Sequence, residues 1–387
     1  MTLEIPDSNN AGLNPQIFLY CRTMSFFSKP FFKKYLLPGF VFQGVLIAGG
    51  YGTGRELVEY FMKYGPLGGI LGMFAITTVL WAVILAVTFE FSRKFRAYDY
   101  RTLLLKIIGP FWIVFEILYL ILLILVLAVV GSAAGVLLRD NFGLPYIFGV
   151  VLMLASIGFL TFKGGALIEK VLSSWSIFIY IVYALFLIAA LLKFGPEIQK
   201  TLSRAEILPQ WALGAFKYAL YNMAVIPSVL FCVNHIETRR EAILSGMIAS
   251  FIGILPGFFF FLAVLGDYPG VVAKEAPAFF VLQKTGIPLL LVAFLIVLFG
   301  TLIQTGTGFI HAFNERIRSA LQAKGREFPD WQRPVVAIIL LLLSTGVSAF
   351  GLINLVAKGY GSISWGIFVV YFVPLMTIGL YKIIKRS

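Results

Sequence analysis

The sequence predicts an all-α, polytopic membrane protein of ten transmembrane helices, arranged as a 5+5 inverted repeat with helices one and six broken. Three observations lead there. Apolar runs of membrane length recur from residue 35 onward, lysines and arginines gather in alternate short loops, and the first span of each half carries a helix-breaking signal. Of the 387 residues, 60% are hydrophobic and 13% charged, with a mean hydropathy of +0.93. Such long apolar runs do not belong to a soluble domain, and a β-barrel would instead show alternating segments of about ten residues. The net charge of +13 is no nucleic-acid signal, because the basic residues sit between apolar spans.

Residues 1–34 read as a polar, then basic, cytoplasmic segment with no signal-peptide pattern. The spans are expected at 35–63, 66–91, 110–138, 144–162, 170–192, 211–234, 241–265, 287–317, 334–350 and 363–384. The first five form one repeat (35–192). An external connector (193–210) leads to the second repeat, 211–387, with a cytoplasmic C-terminus. Basic clusters at 22–34, 93–106, 163–170, 239–240, 316–333 and 382–386 assign those loops, and both termini, to the cytoplasmic side of the cell membrane. Cys21 and Cys232 are too far apart in setting to suggest a disulfide, and His235 and His311 too scattered for a transition-metal site.

Span one contains Gly49-Gly50-Tyr51-Gly52-Thr53-Gly54 well inside its apolar run. Glycine costs about 1 kcal/mol relative to alanine at a helical position, so the run should interrupt the helix. An interruption at membrane depth is tolerated only where protein or a watery cavity satisfies the backbone, which makes it a place to hold a small solute or ion. Close packing through small residues is the competing explanation. Span six favours the first. Tyr221-Asn222-Met223-Ala224-Val225-Ile226-Pro227 combines a proline with an asparagine able to bond locally to the backbone.

Spans three and eight both exceed the ~20 residues a bilayer needs. In both halves a long connector links the second and third spans: 93–108, amphipathic, on the inside, and 267–284 on the outside. Since five is odd, the halves insert with opposite topology. Matching breaks in inverted halves are the sequence pointer to a transporter's midplane site.

This layout, with Gly52-Thr53-Gly54 in span one and a broken span six, resembles the LeuT-type fold of the amino acid–polyamine–organocation superfamily. The resemblance implies that solutes are held at sites built where the helices break. More narrowly, Phe42-Gln43-Gly44 through Gly54-Arg55-Glu56 resembles the YkvI-like amino-acid permeases of bacteria. The chain lacks the Asp-Pro-Gly-Asn and Met-Pro-His patterns of metal-ion transporters of this fold, and Arg55-Glu56 replaces the apolar residues common after the break.

The resemblance implies roles. N–H groups around Gly49, Gly50, Gly52, Thr53 and Gly54 would hold a substrate carboxylate, and carbonyls from Tyr221 and Asn222 onward would hold its amine. Tyr119 sits where a gate tyrosine is expected, or is a packing residue. In sodium-coupled members, span-one carbonyls (here Ile47 and Gly50) and span-eight hydroxyls (here Thr305 and Thr307) surround the ion. Thr305 and Thr307 lie about 200° apart on a helix, so an unbroken helix would not present both on one face. Bonding back to their own helix is the alternative. Some proton-coupled relatives carry a lysine deep in span five. This chain has Ser173, Ser174 and Ser176 there and nothing deeper than Lys170, which favours Na+ over that device and leaves H+ open.

Arg55, Glu56, Glu59, Glu116 and Lys217 are ionisable residues at membrane depth, and such residues are costly and often functional. Glu56 and Lys217 are placed to pair across the outer half-helices, as a structural pair or a gate. The leading reading is a secondary active transporter, not an enzyme. It takes up an amino acid or similar small zwitterion with Na+ or H+, and has no cofactor and no nucleic-acid partner. A nutrient-sensing receptor of the same fold, akin to spore-germination receptor subunits, is the rival. No nucleotide-binding loop and no His-Glu-x-x-His motif is present.

Overall fold

The structure, a computed structural model, describes residues 30–47, 49–162, 165–322, 324–329 and 331–385. Cys21, and most of the segment expected at 1–34, lie outside the described residues, as do the side chains of Lys170, Ser173, Ser174 and Ser176. Every regular element among the described residues is helical. Inner and outer below follow the bias of the basic loops.

Among the described residues, six helices are long and apolar enough to cross a membrane: Pro66–Phe95, Tyr100–Phe142, Ile177–Ser203, Arg239–Asp267, Pro288–Gln322 and Leu352–Lys385. Tyr146–Thr161 and Gln332–Ser348 are shorter apolar helices. The two segments expected to be broken are interrupted. Large apolar side chains such as Ile117, Ile121, Phe159, Leu192 and Leu342 stay exposed on the outside of the bundle. A face of that kind is what lipid would cover, since a soluble monomer rarely carries so large an apolar patch.

Local sequence explains the boundaries. Span seven starts at a capping box, in which the Thr238 hydroxyl accepts from the Glu241 N–H and the Glu241 side chain reaches back. The inner connector forms the helix Tyr100–Ile108, capped by Asp99, which accepts from the Thr102 N–H at 2.9 Å. Its Tyr100, Leu103, Leu104 and Ile107 are buried while Leu105 and Lys106 face out, as the amphipathic pattern predicted.

Two expected boundaries move. Residues 193–203, read as connector, stay helical through a kink at Phe194 (φ −120°, ψ 20°) just before Pro196, and the helix ends at Ser203. Proline is tolerated there because the kink has already opened the ladder. The last span begins at Leu352, well before residue 363, and Lys358 lies inside the helix with its side chain exposed. A lysine at the rim of a span keeps its ammonium in water while its stem lies on the helix, so its charge did not mark a loop.

The spans pack through small residues and a few tethers. A Cβ on Gly246 would come within 2.4 Å of the Ala86 nitrogen, so spans seven and two touch backbone to backbone. Span two holds the helical part of span six through Trp81 Nε1, which donates to the Ala219 carbonyl at 3.1 Å, and Thr77, whose hydroxyl donates to the Ala215 carbonyl at 3.3 Å. The Thr88 and Tyr371 hydroxyls, 2.9 Å apart, join spans two and ten.

Candidate functional site

Both interruptions face one cavity. In span one the helix Leu37–Leu46 stops at Ile47 (φ −75°, ψ 75°). A single turn, Gly49–Gly52, follows, and Gly54 adopts a left-handed conformation (φ 85°, ψ −2°) before the helix Arg55–Tyr60 begins. In span six the α-helix ends at Tyr221. The chain then runs as tighter 3-10 turns, Asn222–Ser228 and Leu230–His235. The Asn222 side chain donates to the Tyr218 carbonyl at 2.9 Å, the local backbone substitution expected of it.

Val45, Leu46 and Glu56 line the cavity from the two sides of the first break, and Tyr221, Asn222 and Val225 from the second. Leu122 and Val126 of span three, Phe309 of span eight and Tyr360 of span ten complete it. It is nearly closed: the centre of a water molecule can occupy only about 10 Å³ of it, the room of one water.

The backbone of the first break is heavily engaged. The Gly54 N–H donates to the Tyr51 carbonyl at 2.9 Å, and the Thr53 hydroxyl to the Gly50 carbonyl at 3.2 Å. The Ile47 carbonyl accepts from the Thr305 hydroxyl at 2.9 Å, so spans one and eight meet at two of the positions the resemblance singled out for an ion. Span eight runs unbroken from Pro288 to Gln322, through both glycines. Thr307 therefore does not share the face of Thr305. It is buried, and its hydroxyl has no hydrogen-bond partner among the described residues.

Glu56 does not pair with Lys217. Glu56 is buried, and its carboxylate turns back over the break. There Oε2 accepts from the Tyr221 hydroxyl, and Oε1 lies where a Cβ on Gly50 would be only 2.5 Å away. Lys217 is half-buried and keeps a solvent route for its ammonium, while burying both charges would have removed it from water. Four tyrosines from three spans surround the carboxylate. Tyr60, Tyr218 and Tyr221 sit with ring centroids 5.5–5.7 Å apart, and Tyr360 stacks on Tyr221 at 4.7 Å. Sequence reasoning missed this cluster. Tyr218 and Tyr221 lie one turn apart just before the second break, which was the available signal.

Tyr119 is buried away from the cavity lining. Its hydroxyl donates to the Phe309 carbonyl at 3.2 Å, and its ring packs against Tyr100, Phe115 and Phe309. Arg55 points outward from the break. It is only 5% exposed and donates to the carbonyls of Val272 (2.7 Å) and Lys274 (3.1 Å) and to Glu59 (3.1 Å). It thereby clamps the outer connector, whose Ala278 N–H also donates to the Thr53 carbonyl at 3.2 Å. Residues Pro277–Thr285 of that connector are helical, with Phe279 and Leu282 buried, so the connector folds in against the bundle.

The inner side is closed by charge. Lys34 reaches Glu237 (2.8 Å) and Glu241 (3.0 Å), and those hydrogen bonds hold its ammonium pKa above the usual lysine value. Arg93 bonds Glu90 (2.8 Å) and the Glu237 carbonyl (3.0 Å). Glu116, near the inner end of span three, pairs with Arg316 at 2.6 Å.

No family model matches the chain. It is 24% identical over 303 residues to the uncharacterised membrane protein YkvI of Bacillus subtilis, covering 74% of this chain and 82% of that one. Among solved structures it is similar to a Na+-coupled sialic acid symporter in a substrate-bound outward-open state (TM-score 0.64, 14% identity, 88% of this chain and 78% of that one). MhsT in complex with L-phenylalanine gives 0.59, 17% identity, and 88% and 86% coverage. A point mutant of the manganese transporter of Eremococcus coleocola gives 0.54, 15% identity, and 89% and 78% coverage. These bear out the LeuT-type fold and the YkvI-like resemblance.

Proposed function

We propose that this chain is a secondary transporter of the cell membrane, crossing it with ten spans and both termini inside. It moves a small amine-bearing solute by alternating access, with amino acids as the class the resemblance implies. The observation that carries this reading is that two interrupted spans face one buried cavity, with a folded lid on one side and a charge network on the other. A cavity with room for one water must widen to take a solute, and two independently closed ends are the elements that would have to open in turn. A passive channel would need neither. The test is uptake into proteoliposomes under an imposed Na+ gradient, an imposed H+ gradient, or none. Gradient-driven accumulation supports the reading. Folded protein that binds a solute without accumulating it under either gradient would be a receptor.

For the coupling ion we favour Na+, supported by the Thr305 hydroxyl meeting the Ile47 carbonyl. A bound cation would take that carbonyl and the hydroxyl oxygen as ligands, in keeping with the oxygen preference of hard cations. Thr305→Val keeps the shape and removes the oxygen. The Na+ concentration for half-maximal uptake is expected to rise about tenfold or more, the weight of one lost charge-assisted contact. An unchanged Na+ dependence would remove Thr305 from the ion site.

A further inference from the structure

We propose that the cavity selects an organic ammonium ion that has no carboxylate, with the Glu56 carboxylate as its anionic partner and the rings of Tyr221 and Tyr360 in its wall. The inference rests on the transport reading above and deepens it. It begins with an unpartnered acid oxygen. Glu56 is 1% exposed and lines the cavity, and its Oε1 has no hydrogen-bond partner among the described residues. A buried carboxylate oxygen without a partner is costly, so it marks a place where a ligand supplies the missing donor. Glycine at position 50 is what lets the carboxylate lie there, since a Cβ would stand 2.5 Å from Oε1 and 2.7 Å from Cγ.

Among the described residues, no positive side chain competes for this carboxylate. The cavity lining contains no lysine, arginine or histidine. Arg55 is engaged with the lid and Glu59, and Lys217 stands half-exposed. The tyrosine rings fit the same ligand. The rings of Tyr221 and Tyr360, both in the cavity lining, attract a cation through their quadrupoles, and the buried Tyr360 hydroxyl also lacks a hydrogen-bond partner among the described residues. The free space beside Glu56, about the size of one water, also matches a primary ammonium head.

The same arrangement rejects a zwitterion. A substrate carboxylate would share a nearly dry cavity with Glu56, and like charges in one site repel. The solute's negative group is thus replaced by one the protein carries itself.

Matched pairs that differ only in the carboxylate test this: phenethylamine against phenylalanine, isobutylamine against valine, ethanolamine against serine. Each is assayed with the purified full chain for ligand-induced thermal stabilisation and for uptake into proteoliposomes. In at least one pair the amine is expected to bind about 10- to 100-fold tighter than its amino acid, the range of a charge-assisted hydrogen bond. Glu56→Gln should remove most of that preference, and Glu56→Asp should retain it. If Glu56→Gln does not fold, the wild-type pairs and Glu56→Asp decide. Equal or tighter binding of the amino acids overturns the proposal, and leaves the transport reading standing if they are accumulated. If folded protein neither binds nor takes up any member of the pairs, the proposal falls. If, in addition, no other solute accumulates under either gradient, the transport reading falls with it.

Discussion

Gly54→Ala is expected to reduce uptake to below roughly a tenth and to lower stability by about 2–5 kcal/mol, from ~1–2 for a left-handed non-glycine residue and ~1–3 for overpacking. Gly54 has φ 85°, and a Cβ there would stand 2.5 Å from a ring carbon of Phe260. That ring has little freedom to retreat, because Phe260 is buried against Tyr183, Phe186 and Phe294. Gly286 supplies the control. Its φ is 75°, but a Cβ would meet nothing within 4 Å, so Gly286→Ala bears the backbone term alone. Thermal unfolding of the two purified variants separates the terms. Equal stability would mean that close packing beneath the break is unimportant.

Arg55→Met should release the lid. The variant loses two hydrogen bonds to main-chain carbonyls and one to Glu59, all from a guanidinium almost out of solvent. Only the two bonds to the connector hold the lid; at the lower bound of about 1.5 kcal/mol for a hydrogen bond to a charged group their loss is about 3 kcal/mol, which would shift the closed-to-open ratio roughly a hundredfold. Labelling reads this directly. With Cys21 and Cys232 both replaced by serine, Asn222→Cys in the cavity should react with a membrane-impermeant maleimide from the outer side at least about tenfold faster in the Arg55→Met background. The same labelling rate in both backgrounds would show that Arg55 does not hold the lid shut.

The sequence carried the architecture because the signals behind it are local. Apolar length, basic loops and helix-breaking residues act within a few residues of themselves, and both interruptions fall where glycine and proline weaken the helix. What it did not carry depends on partners far along the chain. The first interruption starts at Ile47, a residue with no helix-breaking tendency of its own, and the carbonyl at that point is held by Thr305, 258 positions away. Charge complementarity suggested Lys217 for Glu56, yet the Tyr221 hydroxyl sat closer and required no second buried charge. Whether Thr305 and Thr307 share a face turned on how glycines behave inside span eight, and tertiary packing kept that helix whole.

The clamp on the outer connector grips main-chain carbonyls at Val272 and Lys274, not side chains. Its hold is therefore blind to residue type at those two positions and sensitive only to the path of the backbone. Sequence drift at 272 and 274 would be silent, whereas inserting or deleting one residue between them would shift the register of both acceptors at once. Conservation across relatives should accordingly fall on the arginine and on the length of the loop, and leave the letters of the loop free to vary.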